Sequence, residues 1–437
     1  MPLKSHTVYE VFTPTSQARL NFVARADVDK RLEDSLMTPG KQVVVYGESG
    51  SGKSTLLQRT LDKIYGTYLT TACSRAMTFD DLLLDAFDQL DVFYTDTKFQ
   101  NRATTVSTSM EAQYMVAKAA VAASSTNSST ETSRRALPPQ ITAQRLGRFM
   151  GDKGLCWVIE DFHKIAASEK IHLSQTLKIF SDLARTYAQL RIVTIGATDT
   201  AREVVEYDNE MRNRVAEIHV PLMSPYELSQ IVSNGGLLLN VKFERIREKI
   251  TSFSSGLASV THHLALNACI AAGVTHTQAI RKNLLDSEMN KAMAVYIAES
   301  SDTLKRRFDT ALRRERERSY HNTELLVKAI ASGPFDGLTH AGILGQIRQT
   351  YAEYPSGNVT LYLRKLQEED RGALIRRSTN GRYRFIDPVL HSYARVLFKV
   401  GRDNDNEAEW FSKFADLINE HFGAVGQEPG GDRSVAP

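Results

Sequence analysis

A glycine-rich segment at residues 47–55, GESGSGKST, has the spacing of a phosphate-binding loop (P-loop). Its three glycines let the backbone wrap closely around phosphate groups, and the amides of the loop and of the following helix supply a positive potential. Lys53 should reach the β- and γ-phosphates of a nucleoside triphosphate, and Ser54 should bind Mg²⁺ through its hydroxyl. The predicted nucleotide-binding residues of the loop are Gly47, Glu48, Ser49, Gly50, Ser51, Gly52, Lys53, Ser54 and Thr55. We therefore expect the chain to bind ATP and ADP with Mg²⁺, and to hydrolyse ATP.

A pair of acidic residues follows the apolar run LCWVI at residues 155–159. Ligands of open α/β sheets bind at the carboxyl ends of the strands, where Glu160 and Asp161 would emerge. We assign Glu160 to Mg²⁺, usually through water, and Asp161 to orienting or deprotonating the attacking water. The alternative is an acidic helix cap without a role in catalysis.

The elements around these residues alternate between strands and helices. Apolar runs predict strands at residues 41–46, 67–72, 155–159 and 191–196, and helical spacing predicts helices at 22–37, 54–64, 78–90, 142–150 and 174–189. This order predicts the α/β class, with a doubly wound parallel sheet typical of P-loop NTPases.

Composition shifts and breaker residues divide the chain further. The predicted parts are an N-terminal segment 1–21, a P-loop core 22–221, a helical lid 222–300, a connector helix 301–319, a winged helix 320–400 and a C-terminal helix with a disordered tail 401–437. Within the core, the Ser/Thr-rich stretch at about 94–140 is interpreted as a disordered or weakly helical insertion, or as a surface loop without a role. The connector has the composition of a solvated helix.

The winged helix is predicted from three helices at residues 323–331, 339–351 and 358–369, followed by two β-runs at 373–377 and 382–385. Asn380 and Gly381 between the two runs give a strong hairpin signal. If this module reads DNA, the third helix enters the major groove and the hairpin touches the backbone. The candidate DNA contacts are Arg364, Lys365, Arg376, Arg377, Arg382 and Arg384. Packing of the module on the nucleotide domain is an equal alternative.

The overall composition limits the classes of function. The chain has 437 residues, 42% hydrophobic and 24% charged, and a net charge of only +3, so any DNA contact requires a local patch. Its three cysteines lack metal-ligand spacing and fit a reducing compartment. The sequence shows neither a signal-peptide pattern nor a long apolar run, so we expect a soluble, cytoplasmic protein without a membrane partner.

The segment WVIEDFHKI resembles the hhhhDE-x-H motif of AAA+ ATPases, with the acidic order reversed. The resemblance implies slow hydrolysis, because a shorter carboxylate stands in the water-activating position. IVTIGATD resembles the sensor-1 strand, which makes Thr194 or Thr198 the residue that senses the γ-phosphate. EMRNRVAEIHVPL resembles the stretch with an arginine finger, which would be Arg212 or Arg214 acting on a neighbouring subunit, unless these are ordinary surface arginines.

Two further segments resemble nucleotide contacts of this superfamily. SSGLASVTHHLAL resembles the sensor-2 region without its arginine, and the resemblance implies that His262 or His263 contacts phosphate, as a lid histidine does in STAND ATPases. A structural histidine is the alternative. FVARADVDKRL resembles the segment that covers adenine, which nominates Phe22, Val23 and Arg25.

The order of P-loop domain, lid and winged helix resembles both compact STAND-like ATPases and origin-recognition-type AAA+ ATPases. The first resemblance implies a molecular switch that assembles with itself or with an effector protein in the ATP state. The second implies a DNA-binding ATPase of replication-initiator or transposition-helper type. The missing sensor-2 arginine and the atypical acidic pair favour the switch.

Overall fold

The computed structural model describes residues 5–95, 113–116, 141–196, 209–254, 256–313, 320–334, 336–378, 380–386 and 388–398. It divides into two compact units. One is Ala24–Leu222, and the other combines Met1–Val23 with Met223–Pro437. The chain thus begins in the second unit, builds the first and returns, so the predicted N-terminal segment belongs with the C-terminal half.

A five-stranded parallel sheet forms the centre of the first unit. Its strands are β1 (Gln42–Gly47), β2 (Leu69–Ala72), β5 (Cys156–Glu160), β6 (Arg191–Gly196) and β7 (Val215–Val220), and their order is β2-β5-β6-β1-β7. The four strands predicted from the sequence are confirmed, and β7 adds a fifth. All five strands run in the same direction, so their carboxyl ends meet at one edge of the sheet.

Helices cover both faces of this sheet. They are α2 (Ala26–Met37), α3 (Lys53–Ile64), α4 (Phe79–Gln89), α5 (Ala143–Asp152) and α6 (Ala167–Leu183). The apolar residues of α4, α5 and α6 form one buried cluster with Val44, Ile159 and Ile192 of the sheet. Helices α2 and α3 contact β1 but lie outside this cluster, so they cover the opposite face. The α/β prediction with a doubly wound parallel sheet is confirmed.

Within the predicted insertion at 94–140, the structure describes residues 94–95 and 113–116. Strand β3 (Val92–Thr95) pairs antiparallel with β4 (Gln113–Val116), so the first residues of the insertion are strand where the sequence indicated disorder or weak helix. Residues 96–112 and 117–140 lie outside the described residues.

The second unit opens with α1 (Val8–Val11), which is capped by Thr7, and continues after residue 222 with a group of helices. These are α7 (Pro225–Leu239), α8 (Arg247–Ser254), α9 (Ala258–Ala271) and α10 (Asp286–Leu312), with the short paired strands β8 (Val241–Lys242) and β9 (Lys282–Asn283). The amide of Val8 donates to the carbonyl of Thr275, which ties the N-terminal segment to these helices. Helix α10 runs through the predicted boundary at 300, so the lid and the connector share one helix.

The last described part of this unit contains three helices, a hairpin and a final helix. They are α11 (Asn322–Ala331), α12 (His340–Thr350), α13 (Ser356–Lys365), β10 (Ile375–Arg377), β11 (Tyr383–Phe385) and α14 (Pro388–Leu397). Strands β10 and β11 pair antiparallel, and Leu338 forms an isolated bridge to Tyr383. The predicted helices and hairpin in this region therefore form within a few residues of their expected positions.

No helix in the described part of the chain is long and apolar enough to cross a membrane. Those residues also contain no cluster of three or more His, Cys, Asp or Glu side chains able to hold a metal ion.

Candidate nucleotide-binding site

The P-loop joins the carboxyl end of β1 to the start of α3. Gly50 and Gly52 have φ values of 76° and 91°, in the left-handed region that favours glycine. A Cβ on Gly47 would collide with the carbonyl oxygen of Val220, so only glycine allows β1 to pass β7 this closely. These three glycines therefore satisfy backbone requirements that other residues meet at a cost.

The side chains of Lys53, Ser54 and Ser51 differ in their surroundings. Lys53 Nζ donates to the carbonyls of Gly47 and Glu48 at 3.0 and 2.7 Å, which holds the ammonium group beside the loop. Ser54, at the first turn of α3, is exposed. Ser51 is fully buried, and its hydroxyl finds no hydrogen-bond partner among the described residues. A buried hydroxyl at a loop of this shape fits a phosphate oxygen as its acceptor.

Glu160 is the last residue of β5 and lies level with Ile195 of β6, which lies level with Val45 of β1. Side chains alternate along a strand, and Ile159 belongs to the core cluster on the α4–α6 face. Glu160 therefore points to the opposite face, the one covered by α3. This is the face on which the P-loop helix begins.

The electrostatic surroundings of Glu160 fit a cation site. Burial raises the pKa of its carboxyl, and the nearby charge of Asp161 raises it further. Both effects disfavour the carboxylate, and a divalent cation would reverse them. Glu160 and Ser54 supply the hard oxygen ligands that Mg²⁺ prefers, so the residues present fit this ion.

Asp161 leaves the strand in a left-handed conformation, with φ 56°, and begins a short 3₁₀-helix (Phe162–Lys164). Its carboxylate forms an ion pair of 2.6 Å with Lys164, and both side chains are about half exposed. This change of backbone direction ends β5 at Glu160.

Comparison with known proteins agrees with this geometry. The family model of the AAA domain matches residues 38–205. Residues 38–205 form an AAA domain. The domain has the P-loop AAA+ fold, with the loop after β1 and the acidic pair at the end of β5, two strands away. A search of curated proteins found no significant match to the chain.

Solved structures are similar to the chain over most of its length. The Walker-type ATPase of Pyrococcus abyssi gives a TM-score of 0.50 at 13% identity, covering 88% of this chain and 99% of that one. The Aeropyrum pernix ORC2 protein, in ADPNP–ADP complexes, gives 0.48 at 14% identity, covering 94% and 98%. The Aeropyrum pernix ORC1 protein, in complex with DNA, gives 0.45 at 11% identity, covering 89% and 96%. At these identities the similarity concerns the fold.

The arginines predicted as a finger lie at the opposite edge of the sheet from the P-loop. Arg212 and Arg214 precede β7, and the register of β7 against β1 pairs Val215 with Gln42, at the amino edge of the sheet. At about 3.3 Å per residue, this edge is about 17 Å from Gly47, so neither arginine serves the P-loop of its own chain. Arg214 forms an ion pair of 2.6 Å with Asp182, whereas Arg212 is exposed.

Of the two sensor-1 candidates, the structure describes only Thr194. Thr194 is fully buried on β6, and its hydroxyl lacks a hydrogen-bond partner among the described residues. It lies level with Val44 and Ile159, on the face opposite Glu160. Thr198 lies outside the described residues.

His262 is a core residue of the second unit. Only 4% of it is exposed, its Nδ1 accepts the amide of Thr13 at 3.1 Å, and its ring meets Phe12 edge to face. Burial lowers its pKa to about 4, so the ring is neutral at physiological pH. These contacts favour the structural alternative over a phosphate contact. His263 pairs with Glu299 at 2.7 Å.

The adenine candidates fall in different units. Phe22 and Val23 end the N-terminal segment of the second unit, and Val23 is buried. Arg25 belongs to the first unit, and only 7% of it is exposed. Its guanidinium donates to the carbonyl of Pro221 at 2.7 Å, a contact that the sequence analysis did not anticipate.

The candidate DNA contacts do not share one exposed surface. Arg364 is exposed on α13 and lies 3.9 Å from Glu368, and Lys365 lies over the ring of Tyr362. Arg377 is exposed on β10, whereas Arg376 is partly buried.

The remaining two candidates are Arg382, which precedes β11, and Arg384, which lies on β11. Arg382 pairs with Asp336 at 3.1 Å and donates to the carbonyl of Gly337. Arg384 is only 3% exposed, so its side chain is buried. The expectation that Arg384 contacts DNA is therefore corrected.

Proposed function

We propose that this chain is a Mg²⁺-dependent ATPase that works as a nucleotide-controlled switch. The observation that carries the proposal is the P-loop, whose glycine conformations and buried Ser51 hydroxyl suit phosphate, on the same side of the sheet as Glu160. The AAA domain supports nucleotide hydrolysis as the general chemistry.

In this proposal the loop amides and the start of α3 bind the β- and γ-phosphates, and Lys53 neutralises their charge. Ser54 and Glu160 would hold Mg²⁺, which supplies charge stabilisation for phosphoryl transfer. Asp161 accepts a proton from the attacking water, and release of Lys164 would free its carboxylate for that step. An ion pair on the proposed base agrees with slow hydrolysis.

The position of Arg212 supports assembly in the ATP state. An exposed arginine about 17 Å from its own P-loop is available to the γ-phosphate of a neighbouring copy. We propose a homo-oligomer or an effector complex as the product of ATP binding. Arg214 is the weaker candidate, because Asp182 already holds it.

Hydrolysis can be tested with Asp161→Asn. Loss of a general base should lower the turnover of ATP by about 10²- to 10⁴-fold while ATP affinity stays near that of the parent protein. Asp88→Asn, at an exposed position of the same unit, serves as the matched control. Equal turnover in Asp161→Asn and Asp88→Asn would remove Asp161 from the mechanism.

A DNA-binding ATPase of replication-initiator or transposition-helper type is the second candidate. It is supported by the three helices and hairpin of residues 322–385, in which α13 exposes Thr360 and Arg364, and β10 exposes Arg377. A gel shift with duplex DNA that weakens as salt increases would support this candidate. If no shift forms at low salt, the switch remains as the proposed function.

A further inference from the structure

Arg25 lies at the place where the chain enters the first unit. The chain crosses between units twice, at Val23–Ala24 and at Leu222–Met223. Arg25 therefore follows the first crossing by two residues. Its side chain is buried, although arginine is among the residues least often buried without partners.

The guanidinium of Arg25 contacts both the P-loop and the two residues that precede the second crossing. Its Nη2 donates to the carbonyls of Pro221 and Leu222, at 2.7 and 3.4 Å. Its Nη1 makes a longer contact of 3.5 Å with the carbonyl of Ser51. The planar fork of arginine can direct several N–H groups at once, which a single ammonium group cannot do with the same geometry.

The P-loop also meets this segment at its other end. Gly47 approaches the carbonyl of Val220 so closely that a Cβ would collide with it. The second crossing is thus held against both the first residue of the loop and its middle. A shift of residues 221–222 would move the carbonyl acceptors of Arg25, and with them the contact to Ser51.

We infer that Arg25 is a positioning residue that couples nucleotide binding at the P-loop to the arrangement of the unit that begins at Met223. The inference rests on the proposed function, since it assumes that the P-loop binds ATP. The coupling would act in both directions, so the arrangement of the second unit would change ATP affinity by the same factor.

The test measures ATP affinity and an inter-unit distance in the full chain. Cysteines introduced by Asp88→Cys and Arg245→Cys, one exposed site in each unit, carry spin labels, and the native Cys73, Cys156 and Cys269 are buried. The distance between the two spin labels is measured by pulsed electron paramagnetic resonance with and without Mg-ATP. We expect ATP to shift the distance distribution of the parent protein.

Arg25→Ala should lose this shift at saturating ATP, while its Kd for ATP rises by about tenfold, within the usual range of coupling between sites. Arg25→Lys keeps the charge and the fold, and should recover ATP affinity better than the shift. The matched control is Arg31→Ala, which removes an exposed arginine that donates to the carbonyl of Glu217 at 3.2 Å without touching the loop.

A parent-like shift in both Arg25 variants, or identical distances with and without ATP in the parent protein, would overturn the inference. An equal loss in Arg31→Ala would also overturn it. Failure of the parent protein to bind ATP would instead overturn the proposed function, so the two failures are distinguishable.

Discussion

The P-loop and the β10–β11 hairpin are both predicted anion-binding sites, but they differ in the groups that would bind the anion. At the P-loop the binding groups are backbone amides, whose placement follows from the conformations of Gly47, Gly50 and Gly52. At the hairpin the binding groups are side chains, and their direction depends on which face of the strands is buried. Arg384 is lost to the interior and Arg382 to an ion pair.

A site built from backbone groups is visible in the residue spacing, whereas a site built from side chains also requires knowledge of which side chains are buried.

Gly47→Ala should abolish ATP binding, because the added Cβ meets the carbonyl oxygen of Val220 and the start of the loop must move. Overpacking at this contact should also lower the free energy of unfolding by about 1–3 kcal/mol. Calorimetric titration with ATP and denaturant unfolding measure the two effects.

Gly345→Ala in α12 is the matched control, since a Cβ there meets nothing within 4 Å. It should leave ATP binding unchanged and raise the free energy of unfolding by about 0.5–1 kcal/mol, because alanine favours a helix over glycine. Parent-like ATP affinity in Gly47→Ala would mean that the backbone of the loop does not determine the site.

Arg384→Ala and Arg377→Ala divide the hairpin into a structural and a binding position. Removing the buried Arg384 side chain should lower the free energy of unfolding by about 0.5–3 kcal/mol, because truncation leaves a cavity at a buried position. Removing the exposed Arg377, whose guanidinium lies 5.9 Å from the ring of Tyr383, should cost less than about 1 kcal/mol.

The same two variants also test whether the hairpin binds DNA. If the hairpin binds duplex DNA, Arg377→Ala should weaken the complex and reduce its salt dependence by about one phosphate contact. Arg384→Ala should leave both unchanged at a temperature where it is folded. The reverse result, with stability lost at Arg377 and DNA affinity lost at Arg384, would contradict the placement of both side chains.

Glu160 allows a smaller test through pH. Its pKa is raised above the ordinary value of 4.5 in the folded state, so the folded protein holds this proton more tightly than the unfolded chain. In Mg²⁺-free buffer, the free energy of unfolding should therefore contain a contribution that falls as pH rises from 4.5 through the raised value. Denaturant unfolding at several pH values measures it.

Glu160→Gln should remove this pH-dependent contribution, because the amide does not titrate. The variant should also lose the stabilisation that Mg-ATP gives to the parent protein. An unchanged pH profile in Glu160→Gln would show that the carboxyl of Glu160 is not the group responsible.

The sequence predicted the elements whose signals are local. Four strands of the sheet, helices α2 to α5 and the helix–hairpin order of residues 322–385 are found within a few residues of their expected positions, whereas α6 begins seven residues before the predicted start at 174. These segments carry continuous apolar runs, helical spacing or the Asn-Gly turn, which neighbouring residues alone determine.

Features set by distant contacts were not predictable in this way. The edge strand β7 (VAEIHV) mixes polar with apolar residues, because among the described strands only β1 pairs with it. The N-terminal segment joins the second unit through backbone bonds to residues such as Thr275, far away in sequence. The contact of Arg25 with Pro221 likewise spans 196 residues.

A calorimetric titration of the parent protein and of Lys53→Ala with ATP and Mg²⁺ tests the nucleotide site most directly. The ammonium group lies beside the loop, 2.7 Å from the carbonyl of Glu48, where it can meet the β- and γ-phosphates. The parent protein should show saturable binding, and Lys53→Ala should lose it. Unchanged affinity in that variant, with its fold intact, would contradict the P-loop as the nucleotide site.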